Sequence, residues 1–214
     1  FNTNLFIRLH DLMSKNYEKL NKFSKSFYHI EKRNQLMFNL EENKKYNRND
    51  IINTMKQYKS FFNFEKYNKI KSIIENIKIE KEVVFLFGFP RSGTTLLDTI
   101  LRTHSKITVL EEKPYLLEAR HDFFLKNNND LNSLLDISES EIVKIRDNYF
   151  NKFRKQISDQ ENIIIDKLPL SIIEIGFIKS IFPNSKFILA LRHPCDVVLS
   201  CYFSFFSINE AMIN

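Results

Sequence analysis

Only three glycines occur in 214 residues, and the first 80 contain neither glycine nor proline. Those residues are the strongest turn signals, so this stretch does not read as short strands joined by tight loops. Cysteine is as scarce. Cys195 and Cys201 form a lone C-x5-C with no second ligand pair nearby, which excludes a disulfide framework and a zinc site and leaves two reduced, partly buried thiols as the expectation. The five histidines show no H-x-x-x-H or H-E-x-x-H spacing, so no metal is expected. Long hydrophobic runs are missing too: the longest, Val83 to Phe89, is too short to span a bilayer, and no charged-then-apolar leader opens the chain. No membrane segment is expected and a cytoplasmic location is, although a chain that begins with Phe1 leaves an upstream segment open. Lys and Arg exceed Asp and Glu by six, which suits an anionic ligand or partner. No dense basic tract interleaved with aromatics accompanies that excess, so nucleic acid is not the expected anion.

What is present is 43% apolar residues, enough to fill a core. Residues 1–80 carry them at helical spacing: Leu9, Leu12, Met13, Tyr17 and Leu20 mark one helix, and Phe23, Phe27, Ile30 and Phe38 a second. The pair reads as a helical hairpin turning near Asn21. The order Met13, Ser14, Tyr17, Leu20, Phe23, Ser26, Ile30 resembles a degenerate tetratricopeptide unit with Ser14 and Ser26 at its small packing positions, and an ordinary amphipathic pair fits equally. A charged linker, Asn39 to Asp50, leads to further helix over Ile51–Phe62 and Tyr67–Ile77. At Lys81 the composition changes. Val83–Phe87 is a continuous apolar run of the kind a buried parallel strand needs. Helix is expected from Thr94 to Thr103, strand over Ile107–Leu110, and helices over Pro114–Lys126 and Ser138–Lys155. A third strand falls in "NIIIDKLP", helix over Ser171–Ile181, a fourth strand in "KFILALRHP", and a last helix from Cys195 to Phe206. The fold class is therefore α/β, an open parallel sheet with ligands at the carboxyl ends of its strands, preceded by an all-helical segment. The expected domains are 1–80, helical, and 81–214, α/β.

Two of the three glycines, Gly88 and Gly93, fall in "GFPRSGTT" directly after the first strand. Glycine there lets backbone amides approach an anion, and a helix beginning at Thr94 turns its positive end toward the same place. The spacing is that of a phosphate-binding loop, but Thr94 stands where a nucleotide-hydrolysing loop has lysine, and Arg91 lies inside. A plain strand-to-helix turn is the alternative. At other strand ends lie Lys167, beside Asp166, and Arg192, with the Ser200 hydroxyl eight residues on; guanidinium and hydroxyl together suit a phosphate. A hydroxyl nucleophile needs a base, and Glu111-Glu112 after the second strand is the local carboxylate pair. Neighbouring residues point in different directions, so one of the two is expected to face an acceptor, with solvated charges as the alternative. His104 is a weaker candidate, lying in a helix-ending turn.

Taken together, "FGFPRSGTTLLDTIL", "LEEKP", "DKLPLS" and "RHPCDVVLSCYFSFF" resemble the sulfotransferases that use 3′-phosphoadenosine 5′-phosphosulfate (PAPS). The likeness is to the bacterial branch with tetratricopeptide repeats ahead of the transferase domain, itself related to protein-tyrosine sulfotransferases, and it runs from about Glu82 to Asn209. The resemblance implies that Arg91, Ser92, Gly93, Thr94 and Thr95 hold the 5′-phosphosulfate and that Arg192 and Ser200 take the 3′-phosphate. It also implies that Lys167 stabilises the departing phosphate oxygen and that Glu112 is the base of an in-line sulfuryl transfer without a metal. The acceptor is a hydroxyl on a protein tyrosine, a sugar, a lipid or a small metabolite, and the N-terminal helices are a place for protein contact. Since the family's domain continues past the 3′-phosphate helix, the C-terminal part is expected to be missing here. Two rival readings are a P-loop kinase or nucleotide hydrolase, with Asp166 as a metal-binding strand end, and a helical interaction module joined to an inactive α/β domain.

Overall fold

The computed structural model describes residues 2–75, 77, 81–157 and 163–205. The expected start of the third strand at Asn162, the last helix's end at Phe206 and the terminal "SINEAMIN" lie outside the described residues. The chain divides into two compact units, Phe1–Lys56 with His193–Asn214, and Gln57–Arg192.

In the first unit, α1 (Thr3–Lys19) and α2 (Phe23–Phe38) form the expected hairpin. The Asn2 side chain caps α1 by accepting from Leu5 N, and Asn21 turns the chain in the left-handed region at φ 55°, a conformation Asn tolerates. The buried face differs from the expected one. Ser14 and Ser26 are buried, as the small packing positions predict, but so are Asp11 and Arg33, while Leu9, Leu12, Leu20, Phe23, Phe27 and Phe38 stay exposed. Helical periodicity sorts residues onto faces without saying which face meets the partner. Here the choice follows the ions: Arg33 bonds Asp11 Oδ1 at 2.8 Å, and serines beside them let the helices close up. Arg33 also donates to the carbonyls of Tyr202 at 3.1 Å, Phe203 at 3.3 Å and Ser204 at 3.1 Å. These end α9 (Pro194–Phe203), whose last carbonyls have no partner within the helix and carry its negative dipole end. A buried guanidinium thus caps the helix that contains Ser200. The charged linker holds a short 3-10 turn, Glu41–Asn43, and α3 (Arg48–Phe61) crosses from the first unit into the second. Of the two cysteines, neither in a disulfide among the described residues, Cys195 is exposed and only Cys201 is partly buried, since Cys195 lies in the first turn of α9.

The second unit is the α/β body. After α4 (Phe64–Ile74), four strands form one parallel sheet: β1 (Val83–Gly88), β2 (Ile107–Glu111), β3 (Ile163–Lys167) and β4 (Lys186–Ala190), ordered β2-β3-β1-β4. Central β1 is apolar along its length and mostly buried because both faces are covered, whereas β3 is apolar only over Ile163–Ile165 and ends in the buried charges Asp166 and Lys167. Between the strands run α5 (Thr94–Leu101), α6 (Tyr115–Lys126), α7 (Glu139–Asn151) and α8 (Ile175–Ile181). Ser138 and Glu141 make a capping box at the start of α7. Three helices are shorter than expected: α7 gives way to a 3-10 turn over Arg154–Gln156, Pro169 opens a 3-10 turn to Glu174 ahead of α8, and α9 stops at Phe203, where Ser204 turns to extended backbone, short of Phe206. The core gathers Phe85 and Phe87 from β1 with Tyr149, Phe177, Ile181 and Phe182. Register then sets the site. Leu86 lies opposite Lys167, Glu111 opposite Lys167 and Gly88 opposite Ala190, so all four carboxyl ends emerge along one edge.

Candidate functional site

The loop leaving β1 is shaped by close contacts. A Cβ on Gly88 would lie 2.3 Å from Ser92 Oγ and 3.0 Å from the Ala190 carbonyl, so only glycine fits. Gly93 has φ 99° and Arg91 φ 71°, both left-handed; for Arg91 that conformation is strained, and such strain collects at functional sites. Ser92 N bonds Phe89 O at 3.0 Å, tightening the loop, while Ser92 Oγ is buried without a hydrogen-bond partner among the described residues. Gly93 caps α5 with no side-chain bond among the described residues, and the first amides of a helix have no partner within it. Arg192, at the end of β4, donates to the Arg91 carbonyl at 3.1 Å. The structure therefore brings Arg91, Ser92, Gly93, Thr94, Thr95 and Arg192 together. Ser200 lies in the other unit, on α9, where its carbonyl accepts from Ser204 N and Oγ.

Beside the loop stands Lys167, fully buried at the end of β3. Its Nζ donates to Glu112 Oε1 at 2.8 Å and lies 3.6 Å from Glu111 Oε1 and 3.6 Å from Asp98 Oδ2. Both glutamates reach it, contrary to the expectation that neighbours diverge. Strand alternation stops at Glu111; Glu112 adopts φ 50°, left-handed, while its N–H still bonds Lys167 O at 2.8 Å. The two differ in their other partners. Arg102 Nη2 bonds Glu111 Oε2 at 3.1 Å, and that bond, with the charge of Lys167, holds the Glu111 carboxyl below its ordinary value. His104 is occupied elsewhere, its Nδ1 accepting from Lys106 N at 3.1 Å.

Asp166 faces the other way, as strand alternation dictates. Tyr149 donates to its Oδ2 at 2.8 Å beneath the sheet, and burial pushes the carboxyl up to about 7 against the opposing effect of that bond. An Asp bonded there is not turned toward the loop, which removes the feature that favoured a nucleotide hydrolase. The raised value fixes a pH dependence. The folded state holds its proton more tightly than the unfolded chain, so this contribution is fully present below about pH 4 and is lost as pH rises through about 7. Asp166→Asn should therefore raise the unfolding midpoint at pH 8, by the equivalent of about 4 kcal/mol at most, and flatten its pH profile. An unchanged profile would show that Asp166 does not titrate in this range.

Sequence reasoning missed Asp98 and Arg102. Thr94, Asp98 and Arg102 recur at four-residue spacing on one face of the loop's helix, and a carboxylate inside "TTLLDTIL" was the available signal.

A family model described as "Sulfotransferase family" matches residues 83–214. The chain belongs to the sulfotransferase family. Among curated proteins, the chain is 31% identical to an uncharacterized protein of Aquifex aeolicus over 129 residues, 57% of this chain and 17% of that one. It is 28% identical to protein-tyrosine sulfotransferase A of Caenorhabditis elegans over 116 residues, 51% of this chain and 30% of that one. With nodulation protein NoeE of Sinorhizobium fredii it shares 30% identity over 128 residues, 55% and 30% of the two chains. The alignments thus span less than a third of each relative. No solved structure matches significantly. Among the described residues no helix is long and apolar enough to cross a membrane.

Proposed function

We propose that this sulfotransferase moves the sulfuryl group of PAPS onto an acceptor hydroxyl, with a protein tyrosine favoured by the likeness to protein-tyrosine sulfotransferase A. One observation carries the reading: a buried lysine bonded to a glutamate at 2.8 Å, one strand away from a loop whose shape and Ser92 hydroxyl, unpartnered among the described residues, suit an anion. PAPS supplies a sulfuryl group on a phosphate that leaves readily, and the site's chemistry is to hold, polarise and deprotonate. Arg91, Ser92 and the amides of Gly93, Thr94 and Thr95 are assigned the 5′-phosphosulfate. Arg192 and Ser200 are each assigned to the 3′-phosphate. Glu112 takes the acceptor proton, and Lys167 meets the charge growing on the departing oxygen. Side-chain cations do the work that magnesium does in phosphoryl transfer. The helices of residues 1–80 are the proposed place for a protein partner, the transferase domain is assigned to 81–214, and a cytoplasmic setting fits this donor.

The test is calorimetric titration of the chain with 3′-phosphoadenosine 5′-phosphate (PAP) and with adenosine 5′-phosphate, with and without magnesium. A charge-assisted site for the 3′-phosphate should make PAP bind about ten- to hundredfold tighter, independently of magnesium. Equal affinities, or binding that needs magnesium, would reject the PAPS reading.

A further inference from the structure

Three carboxylates surround the Lys167 ammonium, and they are not equivalent. Glu112 is 55% exposed, and its carboxylate meets Lys167 at 2.8 Å. Glu111 is shared with Arg102 at 3.1 Å. Asp98 is fully buried: its Oδ1 accepts from Arg102 Nε at 2.8 Å, while its Oδ2 has no hydrogen bond among the described residues and faces Lys167 at 3.6 Å. An unsatisfied carboxylate oxygen in the interior is costly and calls for an explanation.

The charges supply one. Asp98, Glu111 and Glu112 outnumber Lys167 and Arg102, so the cluster is negative before any anion arrives. A phosphosulfate approaching Lys167 requires one carboxylate to move or be neutralised. Glu112 is free to do so, being half exposed and past the end of its strand. Asp98 is not, because α5 and Arg102 fix it. We infer that Asp98 is a positioning residue, the second partner to which the Lys167 ammonium turns when Glu112 lets go. Its purpose rests on the sulfuryl-transfer reading; its geometry does not. In that step the acceptor O–H bond breaks and its proton goes to the Glu112 carboxylate. The acceptor oxygen bonds sulfur as the bond from sulfur to the phosphate oxygen breaks, leaving the electron pair on that oxygen. Protonated Glu112 is neutral and releases Lys167. Asp98 Oδ2, less than an ångström beyond bonding distance, keeps the ammonium at the end of β3.

The experiment follows the Lys167 ammonium protons by nuclear magnetic resonance in the whole chain with isotope-labelled lysine and no ligand, assigned by their loss in Lys167→Met. In Glu112→Ala the protons should stay protected from exchange with water. In Glu112→Ala/Asp98→Asn protection should fall about ten- to hundredfold, the worth of a hydrogen bond to a charged group. Asp98→Asn keeps the side chain's shape and an acceptor for Arg102, circular dichroism checks the fold, and Asp98→Glu in the Glu112→Ala background should retain part of the protection. Loss of protection in Glu112→Ala alone, or its survival in the double variant, overturns the inference. Titration of the wild type with PAP separates the two failures: no PAP binding sinks the donor assignment while the exchange result still decides what Asp98 does. Where PAP binds, Asp98→Asn should lower turnover about tenfold and leave PAP affinity within about threefold; equal losses in both would mark a merely structural role.

Discussion

Lys167→Ala is expected to lower turnover of PAPS, followed as PAP release with a tyrosine-containing peptide, by on the order of a thousandfold. The ammonium is the one fully buried cation in the cluster, and its field acts where water does not screen it. Two consequences of the substitution must be kept apart. Removing the cation leaves Asp98 with only Arg102 and leaves Glu112 unpartnered, which destabilises the fold by about 3 to 5 kcal/mol if the site behaves as a broken buried ion pair. It also removes the charge that opposes the departing oxygen. The first effect appears in the unfolding midpoint, the second only in turnover of protein that remains folded. Lys167→Arg divides them: the charge and much of the stability return, but a guanidinium cannot place one donor where the ammonium sits, so turnover should stay at least about tenfold low. Wild-type turnover in folded Lys167→Ala would remove Lys167 from the chemistry.

Much of this site was legible in the sequence because its parts are local. A strand, a glycine-spaced loop and a helix start are contiguous, and the left-handed Gly93 and crowded Gly88 are why glycine stands at both places. Lys167 and Arg192 were found because each ends an apolar run. What could not be read depends on contacts between distant segments. Arg33 meets Asp11 across the hairpin and the carbonyls of Tyr202 to Ser204 some 170 residues later, and helical periodicity alone points to the leucine stripe that stays outside. The strand order β2-β3-β1-β4 is equally silent in a linear pattern, yet it places Lys167 between the loop strand and the strand that ends in Glu111. Asp98 went unread because an acid inside a helix is ordinarily solvated; only the packed structure turns it inward.

Glu112→Gln carries the other large expectation. Glutamine keeps the side chain's volume and can still accept from Lys167, but it cannot take up the acceptor's proton. PAP affinity should stay within a few-fold of wild type while turnover falls about a hundredfold or more, as for loss of a general base. The neighbouring glutamate is the internal control. Glu111 is held in its carboxylate form by the Arg102 bond, which makes it a weaker proton acceptor, so Glu111→Gln should cost no more than about tenfold. Reversal of the two results would move the base to Glu111 and make Glu112 the group that restrains Lys167. Equal, small effects from both substitutions would mean that neither glutamate removes the proton, and an acceptor acidic enough to react without a base would follow.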